Sequence, residues 1–263
     1  ILGRAELPMP ENVTEKNMRQ IRAASKLIRR KQRQYETQNL QFAEMREDAG
    51  LKEYLDRTTF INKDGEVCEF TDLQKHDLNL VLQKRYALLN WQQGSGKTAA
   101  VYHRAKYLLK FRKAKNVIIL APAIATNMTW IPFLTINKER FRTIQTAGDL
   151  NNIPEGTFLV VSTSMLRKLK RGLMRFVKRT SGKLCLVFDE SDEITNPTSQ
   201  RTRNILCIFR RLRYKILDTG TTTRNNIAEL YSQFELLYNN SVNMICWSPQ
   251  VYHENRDHEI EEE

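Results

Sequence analysis

One stretch of twelve residues, Ala87-Leu88-Leu89-Asn90-Trp91-Gln92-Gln93-Gly94-Ser95-Gly96-Lys97-Thr98, constrains the chain more than any other. An apolar run breaks at polar residues, passes a Gly-Ser-Gly turn and enters a helix-forming stretch. That is the order strand, phosphate loop, helix. Glycine lets the backbone turn its N–H groups onto a phosphate, and the helix start adds a positive dipole end. Gly94, Ser95 and Gly96 are therefore expected to cradle phosphate, with Lys97 meeting the outer phosphates and Thr98 holding magnesium. The full pattern places a glycine where Trp91 stands. Taken alone, the stretch could also be a plain loop capping a helix.

The surrounding pattern favours the phosphate loop. Thr71 or Asp72 can cap a helix through Leu73, Leu78, Val81 and Leu82, and a helix is expected from Lys97 to about Arg112. Short apolar runs at Asn116 to Ala121, Thr157 to Ser162, Leu184 to Phe188 and Tyr214 to Asp218 read as buried strands. Helices are expected between and after them, near 125–135, 164–179, 200–211 and 226–238. Such alternation predicts an α/β fold, a parallel sheet with helices on both faces and ligands at the carboxyl ends of its strands.

Before this region the character of the chain changes. Residues 1–10 read as an arm, and Thr14 to Arg57 as a helix or helix pair whose stripe runs through Met18, Ile21, Ser25 and Ile28. Its remaining positions are rich in Arg and Lys. The turn Asn62-Lys63-Asp64-Gly65 joins two short strands, Thr58 to Ile61 and Glu66 to Phe70. With 42 Lys plus Arg against 30 Asp plus Glu, the net charge of +12 favours a polyanionic partner. Basic residues also surround the expected helices at 164–179 and 200–211; helix solubility is the simpler explanation for the second group.

Four cysteines at 68, 185, 207 and 246 form no Cys-x-x-Cys pair, which suggests buried thiols in a reducing compartment, cytoplasm or nucleus. No apolar run is long enough to span a bilayer as a helix. The chain starts at Ile1 without an initiator Met and ends in an acidic tail, so it is expected to be a processed product or a piece of a longer protein.

The run Leu184-Cys185-Leu186-Val187-Phe188 delivers Asp189-Glu190-Ser191-Asp192 at its carboxyl end. Acidic side chains there are costly to bury unless a cation or hydrogen-bond partner waits. In a nucleotide site that cation is Mg2+, with Asp189 near it alongside Thr98 and Glu190 orienting the attacking water.

At this point the chain resembles the first RecA-like domain of a superfamily-two helicase motor, most closely the Swi/Snf-type DNA-dependent ATPases. Leu120-Ala121-Pro122 with Trp130, Val160 to Lys168, Asp189 to Asp192 with Ile194, Asn196 and Pro197, and Thr219 to Asn226 leading into Glu229-Leu230-Tyr231 are similar to the family's motifs. They follow the phosphate loop in the family's order, over roughly residues 70–238. The resemblance implies that Lys97, Asp189 and Glu190 serve ATP hydrolysis. It also implies that Thr163 and Arg167 touch a tracked nucleic-acid strand, and that Thr219, Gly220 and Thr221 form the coupling turn. Leu73 to Asp77 sits where the family reads adenine, with Gln74 as the candidate and Asp77 at the expected glutamine position. Other departures are Thr222 for proline, Arg224 for glutamine and Ser191-Asp192 for Ala-His.

The resulting expectation is an N-terminal basic helical extension with a hairpin (1–70), a RecA-like domain (71–238) and an acidic tail or the start of a continuation (239–263). The cofactors are ATP and Mg2+, and the partner is nucleic acid, expected to be double-stranded DNA. Transition-state arginines would come from a second RecA-like domain outside this chain. A strand-separating helicase, a restriction-system motor subunit, and a non-catalytic nucleic-acid-binding module on a decayed motor fold remain open alternatives.

Overall fold

The computed structural model describes residues 45–180, 183–221 and 230–238, together with Met18, Arg19, Arg22, Ser25, Lys26 and Arg29. Two compact units divide between Glu44 and Met45. In the first, the six described residues are helical, and all but Met18 are exposed. The rest of the expected stripe, Arg224, the Thr222 departure and the acidic tail lie outside the described residues.

The second unit is built on a six-stranded parallel sheet. Its strands are β3 (Tyr86–Asn90), β4 (Asn116–Ala121), β5 (Phe141–Thr143), β6 (Phe158–Ser162), β7 (Leu184–Phe188) and β8 (Tyr214–Thr219), in the order β3-β8-β7-β4-β6-β5. Successive side chains on a strand face opposite sides, and both sides of this sheet are covered. On β4, Val117, Ile119 and Ala121 enter one core, while Ile118 and Leu120 enter the other. That is why the strands read as near-continuous apolar runs.

One core is closed by α2 (Asp72–Gln83) and α3 (Lys97–Lys110), through Leu78, Leu82, Ala100, Val101 and Leu108. The other is closed by α6 (Leu166–Thr180), α7 (Gln200–Phe209) and α8 (Leu230–Tyr238). The α2 start is the expected one. Thr71 caps it reciprocally with Gln74 in a capping box.

Helix α1 (Ala49–Asp56) and a hairpin of β1 (Thr59–Ile61) and β2 (Val67–Glu69) precede α2. Leu55 of α1 and Phe70 after the hairpin are buried in the core on the α2–α3 side of the sheet. These elements, which the sequence reading assigned to the N-terminal extension, thus pack with the sheet as part of the unit that begins at Met45.

Two features differ from expectation. The edge strand β5 has no counterpart in the sequence reading, because three residues, Phe-Arg-Thr, paired on one side only, carry no apolar run. The helix expected near 125–135 is split. Short α4 (Ala123–Ala125) and α5 (Ile131–Ile136) flank a π-helical turn, Thr126–Trp130, with Pro132 in the first turn of α5. Proline offers no N–H to the preceding turn, and a widened turn accommodates that loss. The thiols also differ. Cys185 is buried as expected, whereas Cys68 is half-buried and Cys207 exposed.

Candidate nucleotide-binding site

All parallel strands point their carboxyl ends to one edge of the sheet, and the three strands β3, β8 and β7 deliver three loops there side by side. The first is the phosphate loop. Gly94 (φ 78°) and Gly96 (φ 83°) take the left-handed conformation that glycine tolerates, and open space surrounds the position of a Cβ on Gly94. Gly96 caps α3 without a side-chain hydrogen bond, so the first-turn N–H groups of α3 are left for an anion. Lys97 is buried, and its Nζ donates to the carbonyls of Trp91 (3.0 Å) and Gln92 (3.4 Å). Those carbonyls occupy the ammonium where a phosphate would. Thr98, half-buried, follows on the first turn of α3.

The lead-in to the loop explains two departures at once. Trp91 Nε1 donates to Asp77 Oδ2 at 2.8 Å, so the residue in place of the pattern's glycine and the residue in place of the family's glutamine are partners. Gln74 is drawn to the loop instead. Its Nε2 donates to the Ser95 carbonyl (2.8 Å) and its Oε1 accepts from the Thr71 N–H (2.8 Å). Both ends of the amide are engaged in bracing the loop and capping α2.

The second loop follows β7. Asp189 is buried, its Oδ2 accepting from Trp130 Nε1 at 2.7 Å. Burial pushes its carboxyl above the usual range, against the opposing pull of Trp130 and of the Lys97 charge. Glu190 sits in the left-handed region (φ 54°, ψ 56°), a strained conformation for a side-chain-bearing residue. Ser191 Oγ donates to Gln233 Oε1 of α8 at 3.0 Å.

The third loop follows β8. Thr219 Oγ1 accepts from the Thr221 N–H (3.1 Å) and donates to its carbonyl (2.9 Å), closing a tight turn. Thr221 Oγ1 donates to Asp192 Oδ2 at 3.3 Å, joining this turn to the acidic loop. A Cβ on Gly220 would come within 3.3 Å of Lys97 Nζ. The turn after β8 is therefore bonded to the acidic loop and lies beside Lys97.

Asp218, one residue earlier, escaped the sequence reading. It lies opposite Leu89 in the β3–β8 register and is fully buried, and neither carboxyl oxygen has a side-chain hydrogen-bond partner. Burial raises its pKa well above the ordinary carboxylate value, and the nearby Asp189 and Glu190 charges reinforce the shift. The signal was available: an acidic residue closing the apolar run Ile216-Leu217 just before Thr-Gly-Thr. Thr163 and Arg167 stand apart from this cluster. They follow β6, on the far side of β4, with Thr163 buried and Arg167 exposed.

The donors suit a nucleotide with Mg2+. Backbone N–H groups and an ammonium match phosphate, and a hydroxyl and a carboxylate match a cation that keeps most of its shell as water and phosphate oxygen. Among the described residues no group of three or more His, Cys, Asp or Glu side chains could hold a metal, so such a cation would depend on the phosphates.

Residues 19–224 match the family described as "Type III restriction enzyme, res subunit". The chain belongs to that family. The ATP-dependent helicase FUN30 of Saccharomyces cerevisiae is 27% identical over 175 residues, 62% of this chain and 15% of FUN30. The Sulfolobus solfataricus SWI2/SNF2 ATPase core in complex with dsDNA aligns over 71% of this chain and 38% of its own length, with a TM-score of 0.59 at 16% identity. The UvsW helicase from bacteriophage T4 aligns over 71% of this chain and 64% of its own, with a TM-score of 0.50 at 15% identity. The chain thus spans less than two thirds of each of these proteins. Its fold is that of a RecA-like domain, similar to the SWI2/SNF2 ATPase cores, and it is a helicase-like ATPase motor domain. Family membership implies nucleotide use.

Proposed function

We propose that this chain is the ATP-binding half of a nucleic-acid-dependent motor, a DNA translocase or helicase that hydrolyses ATP to ADP and phosphate. The observation that supports this reading best is the meeting of three loops at one sheet edge, with Lys97 beside Gly220 and Asp192 bonded to Thr221. A change at the phosphates would be felt at once by the turn that follows β8.

In this reading Gly94, Ser95, Gly96 and the first-turn N–H groups of α3 hold the phosphates, and Lys97 leaves the Trp91 and Gln92 carbonyls to meet them. Mg2+, when bound, would neutralise charge on the phosphate oxygens. Thr98 and Asp189 would hold it, with the Trp130 indole fixing the Asp189 carboxylate. Glu190, set by its left-handed backbone, orients the attacking water. Gln74 serves the nucleotide by bracing Ser95. Thr163 and Arg167, two strands away, contact the nucleic-acid strand. Duplex DNA is the partner, acting in a protein whose second RecA-like domain completes the site, and the reducing interior of a cell is its setting.

Nucleotide binding by calorimetry tests the site. ATP with Mg2+ should bind, and binding should be lost in Lys97→Ala and strongly weakened in Asp189→Asn. If the wild type binds no nucleotide, the domain is a non-catalytic module and this reading falls. The relative described as an ATP-dependent helicase favours strand separation as a second reading. A motor that displaces a third strand from a triplex without unwinding duplex is a translocase; one that unwinds duplex is a helicase.

A further inference from the structure

A cleft of about 500 Å³ lies between α1 and α3, on the flank of the sheet that these helices cover. That volume suits a small molecule. Tyr102, His103, Lys106 and Lys110 line it from α3, and Tyr54 and Arg57 from α1 and its end. Along α3, Lys106 stands about 12 Å beyond Thr98 at 1.5 Å per residue, so the cleft is separate from the phosphate loop. None of its residues has a part in the proposed nucleotide chemistry.

Floor and rim differ in chemistry. Tyr102 and His103 are 3% and 6% exposed and form the floor, whereas Arg57 and Lys110 are exposed and stand at the rim. His103 packs among the rings of Phe60 (5.9 Å between centroids), Phe70 (5.1 Å) and Tyr102 (4.8 Å), and its Nε2 has no hydrogen-bond partner. Burial, helped by the Lys106 charge, lowers its pKa to about 4, so the ring is neutral at ordinary pH. A buried polar atom left unpaired is costly and uncommon in a settled core. The rim charges are unevenly matched. Arg57 pairs with Glu53 at 2.6 Å, and Lys106 pairs with Glu139, which also accepts from the Tyr102 hydroxyl at 2.6 Å. Lys110 has no ion pair among the described residues, and its Nζ lies 4.9 Å from the centre of the Tyr54 ring.

We propose that this cleft binds a small aromatic carboxylate, its flat ring on the Tyr102–His103 floor and its acid group at Lys110. Each part of that ligand answers a feature of the site. A flat ring fills a floor made of rings, where stacked and edge-on contacts are favourable. The charge must be negative, because Arg57, Lys106 and Lys110 line the cleft against one acid, Glu53. One cation without an acid matches a monoanion. A phosphate dianion would call for further cations or for backbone N–H groups, which inside α3 are already bonded within the helix. Such a ligand would touch α1 and α3 together and stabilise the unit by binding only its folded form.

The test adds naphthoate to the full chain and follows proton NMR. The ring signals of His103, recognised by their contacts with the Phe60, Phe70 and Tyr102 rings, should shift and saturate below about 1 mM ligand. Lys110→Ala should weaken binding about tenfold or more, the effect of losing one charge-assisted contact, and Lys110→Arg should keep most of it. Naphthylmethanol, which has the ring without the charge, and cyclohexanecarboxylate, which has the charge without the flat ring, should each bind at least about tenfold more weakly. Mg-ATP binding should be unchanged in Lys110→Ala, which also shows that the variant is folded. No shift at His103, or equal binding by wild type and Lys110→Ala, overturns the proposal. Equal binding of the alcohol overturns it too, as an adventitious apolar contact only. Displacement of naphthoate by saturating Mg-ATP would put the anion at the phosphate loop and likewise sink the cleft.

Discussion

At the level of single residues, Asp218 is the group whose surroundings least suit it. A carboxyl with 0% exposure and no side-chain hydrogen-bond partner for either oxygen sits in the field of Asp189 and Glu190, with the Lys97 charge opposing them. Its folded pKa therefore lies far above the value of about 3.9 that it takes when unfolded. Between those two values the folded state holds the proton that the unfolded state has released. Stability then falls as pH rises through that window. Asp218→Asn removes the ionisation and keeps the shape. Relative to wild type, the variant should gain stability from about pH 4 upward, by at most about 1.4 kcal/mol per pH unit. Urea unfolding at acidic and neutral pH measures this, and the raised Asp189 is present in both proteins, so its effect largely cancels. A stability difference that stays flat with pH would refute the argument. Asp218 went unread in the sequence because it looked like the end of a strand. The Trp91–Asp77 bond was illegible for another reason: a pair fourteen positions apart is set by the packing of α2 against the loop, which neither residue shows alone.

Among the elements, one buried cation on β8 reaches the ends of two flanking helices. Lys215 Nζ donates to the Arg210 carbonyl after α7 (2.7 Å) and to the Leu236 carbonyl of α8 (2.5 Å), and it lies over the Tyr86 ring of β3 at 4.8 Å. Burial pushes its pKa down to about 7, partly offset by the Glu235 charge. The unfolded lysine titrates near 10.4, so between about 7 and 10.4 the unfolded state binds more protons than the folded one. Stability should rise with pH across that range. Lys215→Met should abolish the rise, as read by denaturant midpoints at pH 7 and 9; the same slope in both proteins would remove Lys215 as its source. Element legibility followed burial. β4, β6, β7 and β8 are covered on both faces, so their apolar runs stood out within a residue of their true bounds. Three-residue β5 pairs on one side only and left no pattern, and the π turn before Pro132 was read as plain helix. The site loops were legible in order because each is fixed to the end of such a strand.

For the whole molecule, the proposed motor reading has one edge of one sheet supply one wall of an ATP cleft. The described residues bring to it an amide cradle, the Lys97 ammonium, and the acidic groups Asp189, Glu190 and Asp218. Of these, Lys97 is the cation whose charge bears on the Asp189 and Asp218 carboxyl groups. Phosphoryl transfer spreads negative charge over the equatorial oxygens, and arginines supplied from outside are worth about 10³ to 10⁵ in rate in related chemistry. This chain by itself should therefore bind Mg-ATP but turn it over at least about 10³ slower than a completed motor. Added duplex should bind without accelerating it, because in the proposed reading the turn at Gly220, beside Lys97, works by closing against a second domain. Single-turnover phosphate release from the chain alone, with and without duplex, measures this. Rapid, duplex-stimulated turnover by the isolated chain would mean that the transition-state charge is met from within it. The three-loop cluster would then be a complete site, and no second domain would be needed to explain it.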